Sequence, residues 1–177
     1  MTAPEVLRRR KDWFFKTNPH SPLTARQREA FGGLLYYPLD PSLRYELPLE
    51  EFPEKREVWL QTSTGDQVCY HRWGRIRFEV GGQPVALVIY AVPGTASFFL
   101  PFKDATSGIE TYAGGRYLEI DSLPDGRVIV DFNLAYNPYC AYNPHWSCPI
   151  PPDENRLPVP IRAGERLPVG EWVEDRE

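Results

Sequence analysis

A mainly β fold is what this sequence predicts: an antiparallel sandwich or barrel of short strands, with two N-terminal helices and a long, ordered loop rich in proline and asparagine. Three observations carry the prediction. Seven or eight short apolar runs follow one another at roughly even spacing between residues 57 and 132. Glycine and Asx turn signals separate them. No long helical pattern lies between them, which argues against a parallel sheet with its crossover helices.

The elements follow in order. Residues 4–16 read as a first helix, with Val6, Leu7, Trp13 and Phe14 near helical spacing, and Asn18 before Pro19 stops it. Thr24 with Gln27 three residues later has the capping-box pattern of a second helix, closed by Gly32 and Gly33 after Phe31. Leu34, Leu35, Tyr36 and Tyr37 form an apolar anchor leading onto the main body. Strands are then expected at residues 57–62, 68–71 and 75–80, the last alternating charged and apolar residues. Gly81 and Gly82 mark a hairpin into a buried run at 85–92. Further strands are expected at 97–102, 109–112, 116–120 and 127–132, punctuated by Gly114, Gly115 and by Pro124, Asp125, Gly126.

The 177 residues suit a single domain. In it residues 1–33 would be a helical segment packed on a β body at about 44–133, with residues 134–164 as a wrapping loop. A net charge of −4 argues against nucleic acid or an anionic membrane as partner. The basic run Arg8, Arg9, Arg10, Lys11 reads as a solvated helix face. No stretch approaches the ~20 apolar residues that span a bilayer, and no apolar segment of a secretory signal follows Met1. A cytoplasmic location is therefore expected. Arginine heavily outnumbers lysine, which stands only at positions 11, 16, 55 and 103, and with 19 prolines the composition is thermophile-like.

Special chemistry concentrates in residues 131–160. Four of the five asparagines lie there (Asn133, Asn137, Asn143, Asn155), with seven prolines from Pro138 to Pro160, Cys140, Cys148 and His145. Cys140, His145 and Cys148 offer sulfur and nitrogen donors for zinc, which Glu154 or a water would complete, although the spacing is not that of a zinc knuckle. The same cysteines could form a Cys140–Cys148 disulfide, remain free as small apolar groups, or supply a nucleophile with His145 as base. Asp131 and Asn133, two apart at a strand end, project to one face. With Glu154 and Asn155 they would either orient a polar ligand or cap a loop whose prolines leave carbonyls without donors; loop scaffolding is the favoured reading. Arg116 would form an ion pair with Asp104 or Asp131, bridging a hairpin, or would clamp an anion beside Gly114 and Gly115.

A long signature accompanies these residues. It runs through Pro101, Phe102, Lys103, Asp104, Ala105, Thr106, Ser107 and Gly108, then Gly114, Gly115, Arg116, Tyr117 and Leu118. It continues with Asp131, Phe132, Asn133, Ala135, Tyr136, Asn137, Pro138, Cys140, Ala141, Tyr142, Cys148, Pro149, Pro152, Glu154, Asn155, Ala163, Gly164 and Glu165. Lys11, Asp12, Trp13, Phe14, Phe15 and Gly33, Leu34, Tyr36, Tyr37, Pro38 upstream also fit. Together they resemble the prokaryotic domain of unknown function 1684 family, over nearly the whole chain. The resemblance implies a bacterial or archaeal domain and brings no established activity.

Two functional classes follow. One is binding of a small polar molecule, or hydrolase-like action on one, at a pocket walled by residues 131–160 where Arg116, Asp131, Tyr139 and Glu154 converge. The other is a structural or protein-interaction domain without catalytic activity. A flavin is conceivable for a β barrel, but no Gly-rich phosphate loop supports it; zinc and flavin are both open, neither favoured.

Overall fold

The computed structural model describes residues 2–173. Helix α1 (Ala3–Thr17) starts at a capping box in which Thr2 and Glu5 exchange hydrogen bonds, with Pro4 in its first turn. Helix α2 (Ala25–Ala30) carries the expected box between Thr24 and Gln27. Gln27 is buried because its amide continues inward and donates to the Tyr142 carbonyl at 3.1 Å.

Seven strands form one antiparallel sheet: β1 (Arg44–Pro48), β2 (Glu50–Gln61), β3 (Gln67–Val80), β4 (Gln83–Ala91), β5 (Phe98–Phe102), β6 (Arg116–Ser122) and β7 (Arg127–Asp131). Their spatial order is β1-β7-β6-β5-β4-β3-β2. The two edge strands are consecutive in the chain, and Leu49 alone separates them. So short a connection requires the edges to meet, and the sheet therefore curls into a barrel. Tyr45 of β1 closes the seam: its ring lies 5.0 Å from Phe78 of β3 and its hydroxyl donates to the Glu79 carbonyl at 2.9 Å. At the same seam a side chain on Gly74 would stand 2.8 Å from the Glu50 carbonyl, so only glycine fits where β2 crosses β3.

The strands differ from the expectation in four places. β1 (Arg44–Pro48) was not among the expected strands, and β2 starts at Glu50, seven residues before the expected 57. Residues 68–71 and 75–80 are one strand, β3, because a bulge between Arg72 and Gly74 absorbs the break in alternation without ending the ladder. Residues 109–112 are not a strand: Thr106 and Thr111 bond each other, and the backbone N–H groups of Ile109, Glu110 and Thr111 turn back to the Thr106 carbonyl.

Inward side chains, among them Ile76, Leu87, Ile89, Leu100, Leu118 and Val130, fill the barrel. A second apolar cluster joins Phe15, Leu23 and Phe31 of the helical segment to Tyr142 and Trp172. Among the described residues, the chain after β7 has only short 3-10 turns as its helical or strand elements and lies against the barrel as a strap. Among the described residues, no helix is long and apolar enough to cross a membrane.

One side chain shows how strap and sheet are joined. β4 and β5 pair at Tyr90 with Phe99 and Ala91 with Phe98. In that register Val88 would next face Pro101, which has no N–H to give. The fully buried Asn155 amide takes the place of the missing pairing. It accepts from the Val88 N–H at 2.8 Å and donates to the Val88 and Pro101 carbonyls, each at 2.8 Å. Asn155→Ala would strand these groups in the interior, and it should cost about 3 kcal/mol, read as a lower urea midpoint at unchanged slope. A midpoint equal to that of the native chain would show that water replaces the amide.

Candidate functional site

Most polar residues singled out in the sequence are consumed by the scaffold. Arg116 opens β6 pointing inward and is buried. Its guanidinium donates to Asp104 Oδ2 at 2.9 Å, to the carbonyls of Ile161 at 2.7 Å and Glu165 at 3.2 Å, and to that of Ala163. Asp104 also accepts from the N–H groups of Thr106 and Ile161. Asp131 accepts from the Asn133 backbone and amide, and Asn133 in turn exchanges two bonds with the Asp40 backbone. Glu154 lies elsewhere, on the outer face of β3 and β4, forked by Arg72 at 2.9 to 3.2 Å and bonded by the Tyr90 hydroxyl. Arg116, Asp131, Tyr139 and Glu154 thus do not converge on one pocket: the first two and Glu154 hold separate junctions, and Tyr139 packs against Phe15 of α1 and Trp146.

Cys140, His145 and Cys148 are not gathered as a ligand set either. Among the described residues no three His, Cys, Asp or Glu side chains come together to hold a metal ion. His145 is exposed on a turn closed by its own N–H to Asn143 Oδ1. The two cysteines do meet: the Cys140 N–H donates to Cys148 Sγ at 3.3 Å, and both thiols are free.

A cleft lies where α1 and the first part of the strap face the outside of β6. Alternation along β6 turns Tyr117, Glu119 and Asp121 outward while Leu118 and Ile120 join the core. A hollow of about 460 Å³ opens beside Arg8, Lys11, Tyr36, Glu119, Asp121 and Glu165, with Asn133 on its wall. It adjoins a second of about 470 Å³ lined by Tyr117, Tyr136, Tyr139, Trp146 and Cys148; Lys11, Glu119 and Tyr136 border both.

The basic run on α1 divides by helical spacing. Arg9 and Arg10 are exposed as expected, whereas Arg8 and Lys11, three apart, turn towards the barrel and are half-buried. Lys11 pairs with the buried Glu165 carboxylate, which also accepts from the Asn137 N–H and the Tyr142 hydroxyl, each at 2.8 Å. Arg8 stacks 4.4 Å from the Tyr36 ring and donates to the Tyr37 carbonyl at 3.1 Å. Its buried Nε and the buried Tyr36 hydroxyl have no hydrogen-bond partner among the described residues. Burial, then the charge of Glu165, pushes the Tyr36 phenol well up, so it keeps its proton and remains a donor.

Of the residues picked from the sequence, Asn133, Tyr139 and Cys148 border this cleft. Arg8, Lys11, Tyr36, Glu119, Asp121 and Glu165 were missed as site residues. The i, i+3 spacing of Arg8 and Lys11 and the i, i+2 spacing of Glu119 and Asp121 were the available signals.

A small antiparallel barrel, bound by a C-terminal strap and bearing a polar cleft under its first helix, is the class of protein these features define. The chain belongs to a family described as Protein of unknown function (DUF1684), whose model matches residues 29–166. It is also similar to a solved structure, the solution NMR structure of the uncharacterized protein from gene locus rrnAC0354 of Haloarcula marismortui. The two are 37% identical, with a TM-score of 0.70, over 92% of this chain and 91% of that one. No curated protein matches the chain.

Glu154 yields a pH prediction. Burial opposes its charge, but the hydrogen bonds from Arg72 and then Tyr90 outweigh it and hold the carboxyl below its ordinary 4.5. A lowered folded pKa gives stability that is complete above the unfolded value and is lost as pH falls through the folded one. With the pair half-exposed, the contribution should stay below about 1 kcal/mol. Glu154→Gln should therefore lower the urea midpoint slightly at neutral pH and flatten its decline below 4.5. Superimposable midpoint curves for the two proteins would remove Glu154 from the acid response.

Proposed function

We propose that this protein binds a small polar molecule in the cleft between α1 and the outer face of β6, walled in part by residues 133–149. The observation that carries the reading is the pair of unpartnered donors, Arg8 Nε and the Tyr36 hydroxyl, at a hollow large enough for a small metabolite. Buried polar groups without partners are costly unless something meets them. An anionic or acceptor group on the ligand would satisfy both once the Arg8 and Tyr36 side chains turn to present these covered atoms to the hollow.

The opposite rim offers acceptors. Glu119 and Asp121 are exposed carboxylates that suit an ammonium or hydroxyl groups. A molecule with an acceptor at one end and donors at the other, such as a small zwitterion, fits this polarity. The competing reading, a structural or protein-interaction domain, draws on the saturation of Asp104, Arg116 and Asn155. That saturation concerns the strap and leaves the cleft donors unaccounted for.

Native mass spectrometry of freshly purified protein, followed by a thermal-shift screen against free amino acids, amino sugars and small hydroxy acids, tests the reading. The expectation is a retained mass or a stabilising compound. Tyr36→Phe and Arg8→Met should each weaken that compound at least ~10-fold, the loss of one charge-assisted or buried hydrogen bond. A bare native mass together with a flat screen would overturn the proposal in favour of the interaction domain.

A further inference from the structure

The strap holds a second chemical feature that small-molecule binding does not use. Cys140 sits in the 3-10 turn Tyr139–Ala141, and Cys148 lies beyond a short exposed turn at residues 143–147. The turn folds back so that Cys148 Sγ receives the Cys140 N–H at 3.3 Å. Two further anchors hold Cys148 in place: its own N–H donates to Ser63 Oγ at 3.1 Å, and its carbonyl accepts from the Ser63 N–H at 2.9 Å. The Tyr112 hydroxyl lies 3.6 Å from Cys140 Sγ. The thiols are thus brought together by backbone bonds that do not depend on a disulfide.

We propose that Cys140 and Cys148 form a redox-active dithiol that is oxidised by low-molecular-weight disulfides, with Cys140 as the attacking thiol and Cys148 as the resolving one. The assignment of roles follows from the surroundings. Cys140 is partly exposed and faces hydroxyl and thiol donors, whereas Cys148 is buried with its sulfur already accepting a backbone N–H. Hydrogen bonds from the Cys148 thiol and from Tyr112 favour the Cys140 thiolate and outweigh its burial, while the same partnership raises Cys148. Cys140 is reached through its own partial exposure, and the hollow lined by Tyr139, Trp146 and Cys148 borders the resolving thiol.

The exchange balances as follows. The Cys140 thiolate attacks one sulfur of R–S–S–R, the S–S bond breaks, and R–S⁻ leaves and takes up the proton that Cys140 had released. Cys148 then loses its proton and attacks the Cys140 sulfur, expelling the second R–S⁻, which takes up that proton. One disulfide is reduced to two R–SH as the protein dithiol is oxidised by two electrons. Cys69, on β3 and raised by burial and then by Glu57, is an internal control.

The test is equilibration of the full chain in glutathione buffers of graded reduced-to-oxidised ratio, acid quenching, maleimide labelling and intact-mass measurement. The expected oxidised form has lost about two mass units, accepts one maleimide instead of three, and yields a proteolytic fragment cross-linked between Cys140 and Cys148. Cys148→Ser should halt at a glutathione adduct on Cys140, and Cys140 should alkylate at least ~10-fold faster than Cys69 under mildly acidic conditions. Three maleimides at every ratio, or adducts on Cys69 in place of Cys140, would overturn the proposal. Near-ultraviolet circular dichroism of Cys148→Ser establishes that the variant is folded before it is read.

Discussion

The buried guanidinium of Arg116 is the constraint on which the rest of this structure depends. Taking an arginine out of water is costly, and removing a partner from such a pair typically costs 3–5 kcal/mol. Here the cost is offset by Asp104 and by three carbonyls of the strap, those of Ile161, Ala163 and Glu165. Burial, opposed by Asp104, draws the Arg116 pKa down, yet a guanidinium starts so high that it stays charged. The strap is therefore seated by one side chain at the start of β6. Its course past Gly164 is equally fixed, since a side chain there would stand 2.5 Å from the Ala135 carbonyl and φ is +76°. That seating places Glu165 beneath α1, where Lys11 meets it, and the pairing holds the helix against the barrel as one wall of the cleft.

How much of this was legible in the sequence varies with the range of the interaction. Thr24 and Gln27 announced α2 because a capping box is local, and the alternation in residues 75–80 announced the second half of β3 for the same reason. The role of Asn155 was only half legible. Asparagine in a proline-rich loop suggested scaffolding, but what it scaffolds depends on Pro101, over fifty residues away in sequence and adjacent in space. Residues 109–112 misled because Ile109 and Tyr112 bracket a polar pair as a strand might, while the Thr106 and Thr111 hydroxyls settle a turn instead. The cleft was least legible. Its residues come from α1, the segment at Tyr36, β6 and the strap, and no local pattern joins them.

Residues 131–160 are two devices in one stretch of chain. The later half, from the 3-10 turn Asp153–Asn155 to Ile161, runs beside β5 and supplies it with backbone and amide partners: Lys103 donates to the Asn155 carbonyl at 3.0 Å, and Leu157 donates back to Lys103 at 2.8 Å. The earlier half leaves the barrel after Asn137 and carries Tyr139, Trp146 and Cys148 out to the cleft. Prolines serve both halves by a common effect. They restrict the unfolded chain and remove N–H donors that irregular backbone could not satisfy.

The charges of the cleft decide how a ligand would lie in it. Lys11 and Glu165 neutralise one another, which leaves Arg8 as the positive group and Glu119 with Asp121 as the negative ones. The aromatic rings are not evenly shared between the two hollows: Tyr117, Tyr139 and Trp146 border the second one, where Glu119 also stands. Ring faces and a carboxylate together favour a cation, and Lys11 already shows the preference by resting 4.9 Å from the Tyr136 ring centre. An acceptor group directed at Arg8 and Tyr36 would therefore leave any ammonium group of the same molecule pointing towards Glu119 and the rings. The asymmetry follows from the alternation of β6 and the helical spacing of Arg8 and Lys11, so under the proposed reading a zwitterion would have one orientation and a dianion would be disfavoured.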